Sequence, residues 1–216
     1  MTTPGLFISL DGVDGGGKTG AVGALQQALI QAGWDPLVTR EPGGTEGGVA
    51  LRRLLLAENS LDWTPMAELL LMNAARAQHV ECVIRPALAA GRIVISDRYT
   101  AASLAFQGAG RGLPVGQILD LHRLATGDLW PDLTVILDID VRRGLERSRR
   151  RNEAEALDEG RFEALDLDFH ERVRQSYLAQ AAERPAIYAV IDADRPEAVV
   201  RKAVQDTVLE LLHRAR

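Results

Sequence analysis

Apolar and polar positions alternate on two scales along the chain. Short runs that are apolar on both faces read as buried strands: Leu6-Phe7-Ile8-Ser9-Leu10, Pro36-Leu37-Val38-Thr39, Ile93-Val94-Ile95-Ser96, Leu133-Thr134-Val135-Ile136-Leu137 and Ile187 to Ile191. Longer segments of helical period separate them, with Gly33, Gly91 and Pro131 as punctuation. This alternation predicts an α/β fold: a five-stranded parallel sheet with helices on both faces and ligands at the carboxyl ends of the strands. A helix is expected from about Lys18 to Ala32. A longer one runs from about Thr64 to Ala90, capped by Thr64, with Pro65 in its first turn and an interruption or kink near Pro86. No internal repeat or linker divides the chain, so residues 1–216 read as one domain.

Composition narrows the class. Of 216 residues 46% are hydrophobic, and 25 basic against 30 acidic side chains leave a net charge of −5, which excludes a disordered chain. A pI near 5.4 argues against a surface that embraces nucleic acid, so an anionic ligand must be held by a local basic site. Cys82 is the sole cysteine; it can form neither an internal disulfide nor a multi-thiolate metal site, which suits a reducing cytosol. Its place in the apolar stretch Val80 to Ile84 makes it a poor candidate nucleophile. The start Met1-Thr2-Thr3-Pro4-Gly5 lacks the features of a signal peptide, and no apolar run reaches the roughly 18 residues that span a bilayer. A soluble, cytoplasmic protein is expected.

The strongest motif follows the first strand. Gly12-Val13-Asp14-Gly15-Gly16-Gly17-Lys18-Thr19 fits G-x-x-x-x-G-K-[ST]. Glycines let backbone N–H groups curl towards phosphate oxygens at the positive end of the next helix. Lys18 reaches the β and γ phosphates, and the Thr19 hydroxyl ligates Mg²⁺. Asp14 is unexpected beside a triphosphate and should point towards a hydroxyl-bearing second ligand. The guanine-reading N-K-x-D motif is absent and the chain is short for a motor ATPase, which favours a small kinase.

Three more segments sit where strands end or between them: Thr39-Arg40-Glu41-Pro42-Gly43-Gly44-Thr45, Ser96-Asp97-Arg98-Tyr99, and Leu69-Leu70-Leu71-Met72-Asn73-Ala74-Ala75-Arg76 on the long helix. With Ala105-Phe106-Gln107-Gly108 and Arg111-Gly112 they resemble, in order, the thymidylate kinase family from about Leu6 to Asp192. The resemblance implies a P-loop NTPase-type three-layer αβα fold, ATP and dTMP as ligands, Mg²⁺ as cofactor, no nucleic-acid or membrane partner, and a homodimer. It also implies roles for individual residues. Asp14 accepts from the 3′-hydroxyl of dTMP, and Arg98 lies between donor and acceptor phosphates, where a planar fork can bridge two anions. Asp97 holds Mg²⁺ through water and is preferred over its rival Asp138 because Arg98 adjoins it. Arg76 donates to a thymine carbonyl, against the plainer reading of an exposed helical arginine. Gln107 completes the base edge, and Phe106 packs beside C2′ and penalises a ribose hydroxyl. Glu41, Pro42 and Gly43 line the acceptor-phosphate side, with Glu41 orienting its neighbours.

The chain departs from the family at Met72, where a phenylalanine usually stacks on thymine, and at Gly20, usually a hydroxyl residue. Between Val141 and Arg151 stand six arginines against one glutamate, read as a short lid at about 142–163. The phosphate loop offers Gly15 and no arginine, so the lid must supply the transition-state cation, as in the bacterial type of the family. Arg149 and Arg151 are the candidates, and Arg147 is placed near adenine. Gly160-Arg161-Phe162-Glu163 resembles D-R-[FI]-E with its aspartate replaced, leaving Arg161 without its usual partner. Two other readings stand beside this one: a deoxynucleoside kinase with Glu41 as base, and a nucleotide-binding regulator without transfer activity.

Overall fold

The computed structural model describes residues 5–57, 61–155 and 160–214. Residues 1–4 of the expected leaderless start and 156–159 of the expected lid lie outside them. In chain order the elements are β1 (Leu6–Asp11), α1 (Lys18–Gln31), β2 (Pro36–Arg40), α2 (Glu46–Leu56), α3 (Pro65–His79), α4 (Arg85–Ala89), β3 (Ile93–Asp97), α5 (Thr100–Ser103), α6 (Val115–Thr126), β4 (Leu133–Asp138), α7 (Val141–Glu155), α8 (Leu167–Glu183), β5 (Tyr188–Asp192) and α9 (Glu197–Arg214). π-helical stretches Val80–Ile84 and Leu104–Gly110 join α3 to α4 and continue α5.

The strands form one parallel sheet in the order β2-β3-β1-β4-β5. Ile8, Leu10, Ile93 and Ile95 enter the larger buried cluster with α1, α8 and α9, whereas Phe7 and Val94, paired in register, enter a second cluster with Val80, Ile84, Ala87 and Tyr99. Successive strand residues face opposite sides, so the two clusters put a core and helices on both faces of the sheet.

Each strand ends on a charged residue, one position beyond its apolar run: Asp11, Arg40, Asp97, Asp138 and Asp192. Parallel pairing carries on through these residues, Arg40 and Leu10 both matching Asp97, and so delivers their side chains to the rim where ligands bind. The expectation of strands buried on both faces holds for β1, β3 and β4. It is corrected for β2 and β5, which are the sheet edges and only partly buried.

The long helix is capped as expected, Thr64 Oγ1 accepting from Ala67 N at 3.4 Å, with Pro65 in the first turn. Its interruption lies just before Pro86. Proline lacks an N–H and its ring crowds the preceding turn; the one-residue widening over Val80–Ile84 absorbs that without ending the helix. Cys82 sits on the outer side of this stretch and is exposed. Among the described residues no helix is long and apolar enough to cross a membrane.

Candidate active site

The phosphate loop leaves β1 at Asp11 and enters α1 through Gly17, whose left-handed φ of 86° caps the helix. Gly12 (φ 126°) turns so close to β4 that a Cβ would lie 2.3 Å from the Leu137 carbonyl oxygen, and at Gly15 (φ 73°) a Cβ would lie 1.9 Å from that of Gly144. The loop therefore rests backbone to backbone on α7, the arginine-rich helix. Lys18 Nζ donates to Gly12 O at 3.0 Å and Val13 O at 2.7 Å, within the loop itself. Burial, reinforced by Arg98, lowers the Lys18 pKa to about 8.

Arg98 stands at the centre. It follows β3 with a left-handed φ of 70°, an uncommon conformation for a side-chain-bearing residue. Its Nη1 donates to Gly12 O (2.9 Å) and to the Tyr177 hydroxyl (3.1 Å), its Nη2 to Asp14 Oδ1 (2.5 Å), and its guanidinium lies 5.1 Å from the Phe106 ring centroid. Burial opposes the guanidinium charge, but Asp14 together with Tyr177, Asp97 and Asp11 outweighs it and holds Arg98 above its ordinary pKa. Burial likewise opposes the charge on Asp14, and Arg98 with Lys18 holds that carboxyl below the usual range. Tyr177, on α8, also donates to Asp11 Oδ1 at 3.4 Å. Asp11 is fully buried with Oδ2 unpartnered, and burial pushes it up to about 6.

Along α3, Glu68, Met72, Arg76 and His79 recur at helical spacing and share a face. Arg76 is buried, so the exposed-arginine reading is overturned: its Nε donates to Glu41 Oε2 (2.7 Å), its Nη2 to Ser103 Oγ (3.0 Å), and its Nη1 has no partner. The other Glu41 oxygen lies 3.0 Å from His79 Nδ1, and His79 Nε2 lies 2.6 Å from Thr39 Oγ1. With both oxygens held, Glu41 is badly placed to take a proton from a sugar hydroxyl.

Two hollows meet here. One is lined by Met72, Arg76, Ser103, Phe106 and Gln107 among others. The second is a cleft along Gly15, Gly17, Lys18, Thr19 and Asp97. Asp14, Glu41, Arg52, Arg98 and Arg151 line both. Pro42, after a cis peptide bond from Glu41, lines the first hollow, and its carbonyl accepts from Arg52 Nη1 at 3.0 Å. Gly12, Val13, Gly16 and Gly43 are buried in the backbone around the site.

The arginines of α7 separate. Arg151 reaches both hollows, holding Ser148 Oγ (3.1 Å) and Asn152 Oδ1 (3.0 Å). Arg149 turns back to Glu163 O at 3.5 Å and lines neither hollow. Arg147 reaches Ala193 O (3.3 Å), beyond β5. Arg161 has a carboxylate after all, Glu68 on α3 at 2.8 Å. At the second departure, a side chain on Gly20 would meet the Glu197 and Arg201 side chains 3.0 and 3.1 Å away.

The donors present suit Mg²⁺. Thr19 Oγ1 donates to Asp97 Oδ2 at 3.4 Å, two hard oxygens side by side in the cleft. Among the described residues no group of three or more His, Cys, Asp or Glu side chains could hold a metal. Asp138 is engaged elsewhere, both its oxygens accepting from Arg174.

A parallel sheet, a phosphate-gripping loop between β1 and α1, and a second hollow joined to it through arginines define a P-loop phosphotransferase of the nucleoside monophosphate kinase type. The family model described as thymidylate kinase matches residues 10–204. A thymidylate kinase from Cereibacter sphaeroides is 58% identical over 204 residues, covering 94% of each chain, and one from Thermomicrobium roseum is 49% identical over 210 residues, covering 97% of each. The crystal structure of the Ehrlichia chaffeensis thymidylate kinase matches with a TM-score of 0.74 and 29% identity, over 97% of this chain and 99% of that one. The chain belongs to the thymidylate kinase family.

Sequence reasoning did not pick out Asp11, Arg52, Glu68, His79, Ser103 or Tyr177 as parts of the site. Three had local signals: Asp11 immediately precedes the loop, Glu68 lies one helical turn before Met72, and His79 lies one helical turn after Arg76. Arg52, Ser103 and Tyr177 reach it only through the fold.

Proposed function

We propose that the chain transfers the γ-phosphoryl group of ATP to dTMP, giving dTDP and ADP, as one catalytic unit whose lid spans about residues 142–163. The observation that carries this reading is the meeting of two hollows at Arg52, Arg98 and Arg151. ATP occupies the cleft of the phosphate loop with Arg147 near adenine, and dTMP occupies the hollow beside α3. The acceptor is a phosphate oxygen already ionised at neutral pH, so no side chain need remove a proton. What the protein supplies is in-line placement and positive charge between anions that repel one another.

Lys18 and Arg98 hold the phosphates from below and Arg151 from the lid side; its reach into both hollows favours Arg151 over Arg149 as the transition-state cation. Thr19 and Asp97 would hold Mg²⁺, Asp97 through water, and the ion would supply positive charge at the donor phosphates. Asp14 takes the 3′-hydroxyl while Phe106 crowds C2′. Arg76 offers its unpartnered Nη1 to a thymine carbonyl, and Met72 packs on the ring. The proposed working unit is a cytoplasmic homodimer, which the family resemblance supports.

The test is ADP release with Mg-ATP against a panel of nucleoside monophosphates and thymidine. Turnover should be greatest with dTMP and negligible with thymidine. Faster turnover with thymidine would favour Glu41 as a base, and no acceptor-dependent release would mark a regulator.

A further inference from the structure

Glu68 lies in the first turn of α3, is fully buried, and is held by three side chains from two separate segments. Oε1 accepts from Gln107 Nε2 (2.9 Å) and Arg111 Nε (3.4 Å); Oε2 accepts from Arg111 Nη2 (3.0 Å) and lies 2.8 Å from Arg161 Nη1. Arg161 further donates to Leu55 O at 3.2 Å, and both arginines lie against the Phe162 ring, 5.7 and 5.3 Å from its centroid. A carboxylate has only acceptors to offer, so Gln107 must turn its NH₂ towards Glu68. Gln107 also lines the dTMP hollow; the contact commits one of its two Nε2 protons and fixes which end of the amide turns to Glu68, leaving the carbonyl oxygen Oε1 as an acceptor at the opposite end.

We propose that Glu68 is a positioning residue for base selection: it fixes the polarity of Gln107, so that the pocket presents an acceptor from Gln107 beside the donor Nη1 of Arg76. This inference rests on the acceptor-hollow reading above. The pattern fits a pyrimidine-2,4-dione, whose N3–H donates and whose flanking oxygens accept. It rejects cytosine, whose N3 is itself an acceptor and would face Oε1 lone pair to lone pair. A buried pocket group left unpaired in this way discriminates more sharply than shape does. Met72, flexible where a flat ring would stack, makes such polar reading the more necessary. The same carboxylate ties Arg161, beyond the lid helix, to the helix that carries Arg76.

The test is steady-state kinetics with dTMP and dCMP for wild type, Glu68→Ala, the isosteric Glu68→Gln, Gln107→Met and the double variant Glu68→Ala/Gln107→Met. Each Glu68 variant should lower the dTMP:dCMP ratio of kcat/KM by about tenfold or more while KM for ATP stays within about twofold. In the Gln107→Met background the same change should cost far less selectivity, because the two residues act as one unit. An unchanged ratio, equal losses in both backgrounds, or a parallel rise in KM for ATP would overturn the proposal. NMR of the unaltered dTMP complex gives a check that needs no variant: Gln107 Nε2 protons should show NOEs to the Glu68 methylenes, and NOEs to the base instead would also overturn it. Wild type that uses dCMP as well as dTMP would sink the acceptor-hollow reading itself, and this inference with it.

Discussion

Arg174 meets Asp138 with both arms of its guanidinium, Nε to Oδ1 at 2.7 Å and Nη2 to Oδ2 at 2.9 Å. That pairing occupies both oxygens of the carboxylate at the end of β4, whereas Asp97, at the end of β3, faces Thr19, which supports the Mg²⁺ role proposed for Asp97. Asp97→Asn should lower kcat roughly 10²-fold and raise the Mg²⁺ concentration needed for half-maximal rate. Asp138→Asn should leave that Mg²⁺ dependence in place and cost about 1 kcal/mol of stability. Mg²⁺ titrations of both variants check this; the opposite pattern would reverse the assignment.

Arg98 combines a left-handed backbone with the hub of the site's hydrogen bonds. Arg98→Ala and Arg98→Gly should both reduce turnover on the order of 10³-fold. They should differ in stability, glycine exceeding alanine by roughly 1 kcal/mol, because only alanine keeps a Cβ at φ 70°. ADP-release rates and urea midpoints measured side by side decide it. Wild-type turnover in either variant contradicts the role given to Arg98.

Tyr177 ties Arg98 to Asp11 through one hydroxyl. Tyr177→Phe keeps the ring in the core and removes that tie, so kcat should fall about tenfold while the thermal midpoint shifts by only a few degrees. KM for ATP and for dTMP should change little, since the hydroxyl reaches neither hollow. A variant with unaltered kcat would show that Gly12 and Asp14 suffice to hold the guanidinium.

Asp11 gives the free protein a pH dependence of definite sign. Its carboxyl titrates near 3.8 when unfolded and near 6 in the fold, so between those values the folded state binds more protons. Stability from this residue is therefore greatest below about pH 4 and declines as pH rises through 6, by on the order of 2–3 kcal/mol. Asp11→Asn should be more stable than wild type at pH 7, and the gap should close towards pH 4. Urea denaturation of the nucleotide-free protein at both ends of this range measures it; a gap that widens on acidification refutes it.

Local backbone demands were legible in the sequence. The phosphate loop needs glycines at fixed places, and strands buried on both faces need unbroken apolar runs, so β1, β3, β4 and the loop could be read directly. Arg76 could be placed on the correct face of α3, but its burial could not, because the Glu41 and Ser103 that enclose it come from other elements. Arg161 seemed to have lost its partner when only its own segment was read; the fold supplies Glu68 from 93 positions earlier. Tyr177 was invisible for the same reason: nothing near it along the chain hints that its hydroxyl meets Arg98.

The contact of Gly15 with Gly144 bears on how the transferring charge can be supplied. A side chain at position 15 is barred twice, by a φ of 73° and by a carbonyl 1.9 Å from where its Cβ would be. An arginine grafted into the phosphate loop there could be accommodated only if the loop or α7 moved away. In this packing a loop-borne cation at position 15 and the placement proposed for Arg151 therefore exclude each other, and conversion from one to the other requires resettling the loop against the helix.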